Sequence, residues 1–283
     1  LVDICKDAVQ AKGVFNYPKE LNLPGYKPQI KGHPMSIKKA ADAIKRSKRP
    51  LIYAGGGVIL SDGAKELTDF AHKTGIPVTT TLHGLGGFPG TDDQFLGMLG
   101  MHGTYTANMA TNECDCLIAI GARFDDRVTG KVEAFAANAK KIHIDVDPAS
   151  INKNIQVDYP IVGDVKHILE DMEKHFEEKL PLETWWSQLN EWRNACPLDL
   201  PDEDGLLRPQ GILRNISQRV NGKAVFTTDV GQNQMWAAQY VLYDNPRSHI
   251  TSGGLGTMGF SVPAAVGVAF GIKDRPIISI SGD

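Results

Sequence analysis

Several segments of this sequence place glycine beside charged or polar residues just after a short apolar run, a pattern typical of loops that hold phosphate-bearing ligands. The chain contains 29 glycines, and glycine allows the backbone to approach a bound group closely. Four of these segments lie before residue 150: Gly55-Gly56-Gly57, Thr81-Leu82-His83-Gly84, Gly100-Met101-His102-Gly103 and Gly121-Ala122-Arg123-Phe124-Asp125-Asp126-Arg127. A fifth candidate segment, Asp145-Val146-Asp147, follows an apolar run without a glycine.

The charged residues of these segments indicate what the ligand could be. Arg123 and Arg127 follow a glycine at the end of an apolar run, and paired guanidinium groups suit a pyrophosphate. Asp145 closes another run, where a carboxylate can accept hydrogen bonds from a ribose hydroxyl. The triplet at residues 55–57 departs from the GxGxxG pattern, so a tight turn is an alternative there. Together the segments favour an extended dinucleotide.

A second group of polar loops lies after residue 228. The segments are Asp229-Val230-Gly231-Gln232-Asn233-Gln234, Ser252-Gly253-Gly254-Leu255-Gly256-Thr257-Met258-Gly259 and Ser281-Gly282-Asp283. Asp283 could hold a divalent ion such as Mg²⁺, which takes one or two carboxylates together with phosphate oxygens, or it could be a turn residue. No Ser-His-Asp elbow, HExxH motif or Walker A loop occurs in the sequence.

The elements that must position these loops alternate between strands and helices. We expect strands at 50–54, 76–81, 116–120 and 142–146 and helices at 105–112 and 165–176 in a first block, with Ser36 capping an earlier helix. A second block is expected to contain helices at 209–220, 235–241 and 261–270 and strands at 224–228, 249–252 and 276–280. Such alternation predicts an α/β fold with a doubly wound parallel sheet, whose ligands bind at the carboxyl ends of the strands.

Composition excludes several classes of protein. Of the 283 residues, 42% are hydrophobic and 22% are charged, as in a globular domain, and the net charge of −3 offers no general attraction for nucleic acid or membrane. Four cysteines over this length do not form a disulfide framework, so we expect reduced thiols and a cytoplasmic protein.

The motifs carry a family resemblance. The segments Gln234-Met235-Trp236-Ala237-Ala238-Gln239 and Ile250–Gly259 resemble the catalytic large subunit of the acetolactate synthase (acetohydroxyacid synthase) family, which depends on thiamine diphosphate. Leu99–Gly103 and Gly121–Val128 resemble its FAD-binding middle domain. The resemblance covers essentially the whole chain. Three positions depart from the family pattern: Asn233 replaces His, His83 replaces a common Met, and Cys5 replaces Pro.

The resemblance implies roles for individual residues. The implied FAD contacts are Gly55, Gly56, Gly57, Thr81, Leu82, His83, Leu99, Gly100, Met101, His102, Gly121, Ala122, Arg123, Asp125, Arg127, Val128, Asp145 and Asp164. The implied thiamine diphosphate contacts are Val230, Gly231, Gln232, Asn233, Gly256, Met258, Gly282 and Asp283, with Asp283 also a Mg²⁺ ligand. The family's activating Glu is expected upstream of Leu1, so no residue of the chain receives a catalytic role.

The implied reaction is decarboxylation of pyruvate and condensation with pyruvate or 2-oxobutyrate, in branched-chain amino acid biosynthesis. The implied assembly is a homodimer or homotetramer of large subunits with a small regulatory subunit. Two alternatives are a related FAD-containing thiamine-diphosphate enzyme, such as glyoxylate carboligase or pyruvate oxidase, and a non-catalytic FAD-binding fragment.

The resemblance also predicts how the chain is divided. We expect the tail of a pyrimidine-binding domain and a linker at 1–30, a doubly wound FAD-binding middle domain at 33–180, a linker at 181–206, and the front part of a second α/β domain, which binds thiamine diphosphate, at 207–283. Both ends read as strand or loop segments, which predicts an internal fragment that is inactive by itself.

Overall fold

A computed structural model describes residues 3–17, 19–20, 28–198 and 206–282. A short helix, α1 (Lys6–Gln10), buries no side chain and precedes the first block. That block contains α2 (Pro34–Arg46), β1 (Pro50–Ala54), α3 (Gly56–Leu60), α4 (Ala64–Thr74), β2 (Val78–Thr80), β3 (Phe95–Met98), α5 (Tyr105–Glu113), β4 (Cys116–Ile120), α6 (Asp126–Thr129), β5 (Lys140–Asp145), β6 (Tyr159–Val162), α7 (Val165–Glu173) and α8 (Glu183–Ala195).

The first block is a parallel sheet in the order β3-β2-β1-β4-β5-β6. Every residue of β1 and β4 is buried, because helices cover both faces of the sheet and apolar residues therefore fill these strands. The order reverses direction between β1 and β4, and a crevice forms at such a point outside the carboxyl ends of the strands. The predicted doubly wound α/β sheet is confirmed.

Helix α8 lies within the region expected to be a linker. Trp185 and Leu189 are buried in the core of the first block, and Trp185 Nε1 donates to Pro50 O at 3.1 Å. The indole ring of Trp185 packs edge-on against that of Trp192. The helix therefore fixes the segment after α7 to the amino end of β1.

The second block contains α9 (Pro209–Val220), β7 (Val225–Thr228), α10 (Gln232–Tyr240), β8 (His249–Thr251), α11 (Ser261–Gly271) and β9 (Ile277–Ile280). Its strands are parallel in the order β8-β7-β9. The loops after all three strands consequently open at one edge of the sheet.

The two blocks meet along a seam. Leu85 and Met98 of the first block pack into the hydrophobic core of the second. Both the backbone N–H and the hydroxyl of Thr91 donate to Asp244 Oδ1, at 3.0 and 2.9 Å. Arg247 forms an ion pair with Asp62 at 2.7 Å. These contacts bring the loops of the first block beside those of the second.

The structure corrects the sequence-based elements in several places. The helix expected at 235–241 is α10 (Gln232–Tyr240), which begins three residues earlier, directly after Gly231, whose φ is positive. Helix α2 begins at Pro34 with His33 as N-cap, so Ser36 does not cap it; proline fits a first helical turn because its missing N–H has no partner there. Strands β3 and β6 were not predicted: β3 contains Gly97 with φ +90°, and β6 contains Pro160 at the sheet edge. Within the described ranges, no helix has the length and apolar character that crossing a membrane requires.

Candidate functional site

The loops after β1 and β4 pack against each other at the point where the strand order reverses. Gly55 N donates to Ile120 O at 2.9 Å, and Gly57 N donates to Gly121 O at 3.0 Å. A Cβ on Gly57 would lie 2.6 Å from Gly121 Cα. The close approach of the two backbones therefore explains why glycine is needed at these positions. The predicted contact of these glycines with a ligand stays a prediction.

The segment 121–127, called here the β4 loop, carries the predicted pyrophosphate arginines. Arg123 lies on the surface with 71% of its side chain exposed and forms an ion pair with Asp125 at 2.6 Å, and Arg127 is also exposed. Partial burial acts to raise the pKa of Asp125. The hydrogen bond from the backbone N–H of Arg127, a hydrogen bond with Asp126 and the charges of the two guanidinium groups act in the opposite direction. Their combined effect is larger, so the pKa of Asp125 lies below its usual range. The guanidinium of Arg123 pairs with this ionised carboxylate and still has exposed N–H groups that can bind a further anion.

The β4 loop leaves consecutive amide groups without protein acceptors. Among the hydrogen bonds of the described residues, none is donated by the backbone N–H groups of residues 122–125. Phe124 has φ +54°, and a left-handed residue within such a run turns successive N–H groups toward one side, as in anion-binding loops. The donor set of the loop, amides and guanidinium groups, therefore fits a pyrophosphate.

Some of the other predicted FAD residues of the first block contact the β4 loop, and others have local structural roles. Met101 N donates to Arg127 O at 3.0 Å, which joins the segment Leu99–His102 to the β4 loop, and Leu99 itself is buried in the core. Val128 packs against the same core. Thr81 caps the turn that holds Leu82 and His83. The structure thus brings the segments after β2, β3 and β4 to one edge of the sheet.

Two predicted acids have local structural roles. Asp145 Oδ1 accepts from Asp147 N at 2.9 Å, and Asp145 Oδ2 lies 3.7 Å from His143 Nε2. Asp164 caps α7 by accepting from Lys166 N at 3.0 Å. Both acids stand at carboxyl ends of strands: Asp145 is the last residue of β5, and Asp164 lies in the loop after β6. Their contact with FAD stays a prediction.

In the second block, the amino end of α10 faces the open edge of the sheet. Gly231 precedes the helix with φ +144°, and Gln232 and Asn233 form its first turn, whose backbone N–H groups lack intrahelical acceptors. Asn233 Nδ2 donates to Ile280 O at 3.2 Å and so ties the helix to the end of β9. Val230 connects β7 to this turn.

The loop after β8 leaves open space beside α10. A Cβ on Gly254 or Gly259 would meet no atom within 4 Å, and one on Gly256 would meet only Val230 Cγ1, at 3.8 Å. Met258 is 69% exposed. Helix N–H groups and neutral amides beside an open glycine loop fit a diphosphate. No group of three metal-ligating side chains occurs among the described residues, and Asp283, the predicted Mg²⁺ ligand, lies outside them.

Asp229 is a residue of this site that sequence reasoning did not assign. Its side chain is buried, and Oδ1 accepts from Ser261 N at 2.7 Å. The backbone N–H of Ser261 is the largest cause that lowers the pKa of Asp229, with further hydrogen bonds from Gly282 and Gly259. One carboxylate therefore joins the ends of β7 and β9 to the start of α11. The sequence signal that could have identified Asp229 is its position directly after β7.

Two histidines mark where the two groups of loops meet. The ring of His83 lies beside Gly253, since a Cβ on Gly253 would be 2.6 Å from His83 Nε2, and the Cβ of His83 lies beside Gly56. His249 Nε2 is enclosed and has no hydrogen-bond partner among the described residues. Burial, followed by the charge of His83, lowers the pKa of His249 to about 4.

Comparisons with known proteins identify two domains of one group of enzymes in this chain. The family model for the thiamine pyrophosphate enzyme central domain matches residues 37–172, and that for the C-terminal TPP binding domain matches residues 229–283. The chain is 45% identical to an acetolactate synthase large subunit of Mycobacterium tuberculosis over 289 residues, which is 100% of this chain and 47% of that protein.

Other relatives align in the same way. The acetolactate synthase large subunit of Haemophilus influenzae is 43% identical over 290 residues, and that of Buchnera aphidicola subsp. Schlechtendalia chinensis is 45% identical over 291. Each alignment covers 100% of this chain and 51% of the relative. The chain thus spans about half the length of the curated relatives it matches.

Proposed function

The chain belongs to the thiamine pyrophosphate enzymes, and from this premise we propose that it serves acetolactate synthesis: decarboxylation of pyruvate and condensation with pyruvate or 2-oxobutyrate. The observation that carries the proposal is the similarity to acetolactate synthases along the entire chain, at 43–46% identity. Branched-chain amino acid biosynthesis in the cytoplasm is the corresponding physiological role.

Thiamine diphosphate supplies, when bound, the electron sink that decarboxylation of a 2-oxo acid needs. The residues of the second block bind and orient it. The amide groups at the start of α10, with Gln232 and Asn233, hold the diphosphate, and Met258 with Gly256 contacts the rings. Asp229 keeps the ends of β7 and β9 and the start of α11 together so that these groups stay aligned. Asp283 would provide an oxygen ligand for a Mg²⁺ ion, which would neutralise charge on the diphosphate.

FAD is the proposed ligand of the first block. Support comes from the donor set of the β4 loop and from its link to Leu99–His102, both at the carboxyl edge of the sheet. In the proposed reaction FAD undergoes no net redox change, so its role is structural. The proposed assembly contains two or four copies of the catalytic chain with a small regulatory subunit, in keeping with relatives that are named large subunits.

A chimera tests the reaction. The aligned half of the Haemophilus influenzae large subunit is replaced by this chain, and acetolactate formation from pyruvate is measured with thiamine diphosphate, Mg²⁺ and FAD. We expect turnover that depends on thiamine diphosphate. The matched control carries Gln232→Ala, which should raise the concentration of thiamine diphosphate needed for half-maximal rate. A chimera that binds both cofactors but forms no acetolactate would contradict the proposed reaction.

A further inference from the structure

Two side chains bind three consecutive carbonyl groups of the β4 loop. His143 Nε2 lies 2.9 Å from Ala122 O, and Asn154 Nδ2 lies 3.0 Å from Arg123 O and 3.1 Å from Phe124 O. His143 lies on β5, the strand next to β4, and Asn154 follows the turn after that strand. Residues remote in sequence from the loop therefore hold its carbonyls on one side.

The protonation state of His143 follows from its neighbours. A carbonyl oxygen only accepts hydrogen bonds, so Nε2 carries the proton that it shares with Ala122 O. His143 is fully buried, and Nδ1 has no partner among the described residues. Burial lowers the pKa of His143, against the charge of Asp145 and the hydrogen bond to Ala122 O. The ring is therefore the neutral tautomer that donates from Nε2.

The hydrogen bonds from His143 and Asn154 to the carbonyls of the β4 loop hold an uncommon backbone conformation. Phe124 has φ +54°, a region that bulky side chains seldom adopt, and its ring lies 4.9 Å from that of His143 and 5.8 Å from that of Tyr53. The left-handed turn and the bound carbonyls together leave the N–H groups of residues 122–125 without acceptors among the described residues.

We infer that His143 and Asn154 are positioning residues, which orient the backbone N–H groups of residues 123–125 and the guanidinium of Arg123 toward the diphosphate of a dinucleotide. This inference rests on the proposed flavin site and names residues that act on it without contacting the ligand. The two side chains hold the carbonyls of the loop, and the ligand binds the opposite side of the same peptide groups.

Substitutions that remove only the donor test the inference. His143→Phe keeps an aromatic ring without the N–H, His143→Gln restores a donor near the Nε2 position, and Asn154→Leu removes the Nδ2 donor at an exposed position. Ile142→Val is the matched control, because successive residues of a strand point to opposite faces of the sheet and Ile142 is equally buried. Thermal unfolding of each purified variant reports its stability.

Two readouts separate positioning from packing. In FAD titrations followed by flavin fluorescence, we expect His143→Phe and Asn154→Leu to weaken binding by about tenfold or more, the effect of losing one oriented hydrogen bond, and His143→Gln to recover most of it. Without FAD, trypsin should cut after Arg123 and Arg127 faster in the same two variants than in the wild type or in Ile142→Val.

Each result decides between the possibilities. Unchanged cleavage and unchanged FAD affinity in Asn154→Leu, which changes an exposed residue and so leaves the fold intact, would overturn the inference. Faster cleavage in a protein whose wild type binds no FAD would support positioning of the loop and contradict the proposed flavin site. A His143→Gln variant as weak as His143→Phe would show that ring packing, and not the donor, is what matters.

Discussion

The β4 loop shows how an exposed charged residue can be nearly neutral for stability and still matter for binding. The ion pair between Arg123 and Asp125 is exposed to solvent, and such pairs contribute about 0–1 kcal/mol. A charge-assisted hydrogen bond from the same guanidinium to a phosphate is worth about 1.5–3 kcal/mol. The role of this residue should therefore appear in ligand affinity and not in thermal unfolding.

We predict that Arg123→Ala raises the dissociation constant for FAD by about ten- to a hundredfold while the unfolding midpoint changes little. Arg49→Ala is the control, since Arg49 is also partly exposed, pairs with Glu113, and precedes β1 at the opposite edge of the sheet. Fluorescence titration measures both variants. Equal FAD affinities in the two variants would show that Arg123 serves only its ion pair with Asp125.

His249 gives a prediction about pH. Burial lowers its pKa from the usual 6.5 to about 4 in the folded chain. The unfolded chain therefore takes up a proton below about pH 6.5 that the folded chain refuses until about pH 4, so acidification through this window reduces the free energy of unfolding. The neighbouring His83 also has a lowered pKa, from burial and the charge of Arg123, and acts in the same direction.

The measurement compares denaturant unfolding of the wild type with that of His249→Gln at several pH values across this window. We expect the variant to lose less stability on acidification, because glutamine does not titrate there. His83 and His143 remain in both proteins, so their contributions cancel in the comparison. Parallel pH profiles would show that His249 is protonated as easily in the folded chain as in the unfolded one.

The position of a residue directly after a predicted strand was the signal that selected the β4 loop and residues 230–233 as candidates. Residues 99–103 were selected by their glycines and by the family motif, because β3 was not predicted; the ligand contacts of all three segments stay predictions. His143 and Asn154 were not selected, because their partners lie 21 and 31 residues away and only the register of β5 against β4 brings them together. Asp229 was visible in sequence, but its hydrogen bonds to the start of α11 depend on packing between elements.

At the scale of elements, the contact between the loops after β1 and β4 depends on glycine at more than one position. A Cβ on Gly57 would lie 2.6 Å from Gly121 Cα and 3.0 Å from Gly121 O. Both neighbours are backbone atoms of Gly121, directly after β4, so no side-chain rotation can relieve the clash. Either the helix after β1 or the β4 loop must move.

We predict that Gly57→Ala lowers the free energy of unfolding by about 1–3 kcal/mol or more, as overpacking usually does. Gly254→Ala is the matched control, because its Cβ would meet no atom within 4 Å, and its effect should stay within about 0.5 kcal/mol. Urea denaturation of the two variants provides the test. Equal stabilities would mean that the two loops are not in contact in solution.

The alternation of strands and helices was enough to predict both parallel sheets, since β1 and β4 are apolar, β7 is rich in β-branched residues, and β5 contains Ile142 and Ile144. The central strands are buried on both faces and so carry the clearest pattern. Edge strands have a weaker sequence pattern. Strand β3 includes Gly97, and β6 includes Pro160, which is tolerated because β6 lies at the edge of the sheet. The order of the strands came from the structure alone.

For the whole molecule, the two blocks differ in how far they enclose a ligand. The first block has a continuous core, and the hydrogen bond from Met101 N to Arg127 O joins its loops after β3 and β4. In the second block the loop after β8 is open: Leu255 is 96% exposed and Met258 is 69% exposed. The side chains of His83 and Leu82 in the first block reach this loop at Gly253.

We predict that this chain alone binds FAD but forms no acetolactate from pyruvate. Binding of a dinucleotide needs only the preformed edge of the first sheet, whereas a reactive carbanion must be shielded from water, and exposed Met258 and Leu255 leave the thiamine site open to solvent. Gel filtration with excess FAD, followed by the absorbance spectrum of the protein peak, measures retention. Acetolactate is assayed in the same fractions with thiamine diphosphate and Mg²⁺. Turnover above that of a Gln232→Ala control would contradict the prediction, because the described loops would then suffice to exclude water; a colourless peak would contradict the proposed flavin site instead.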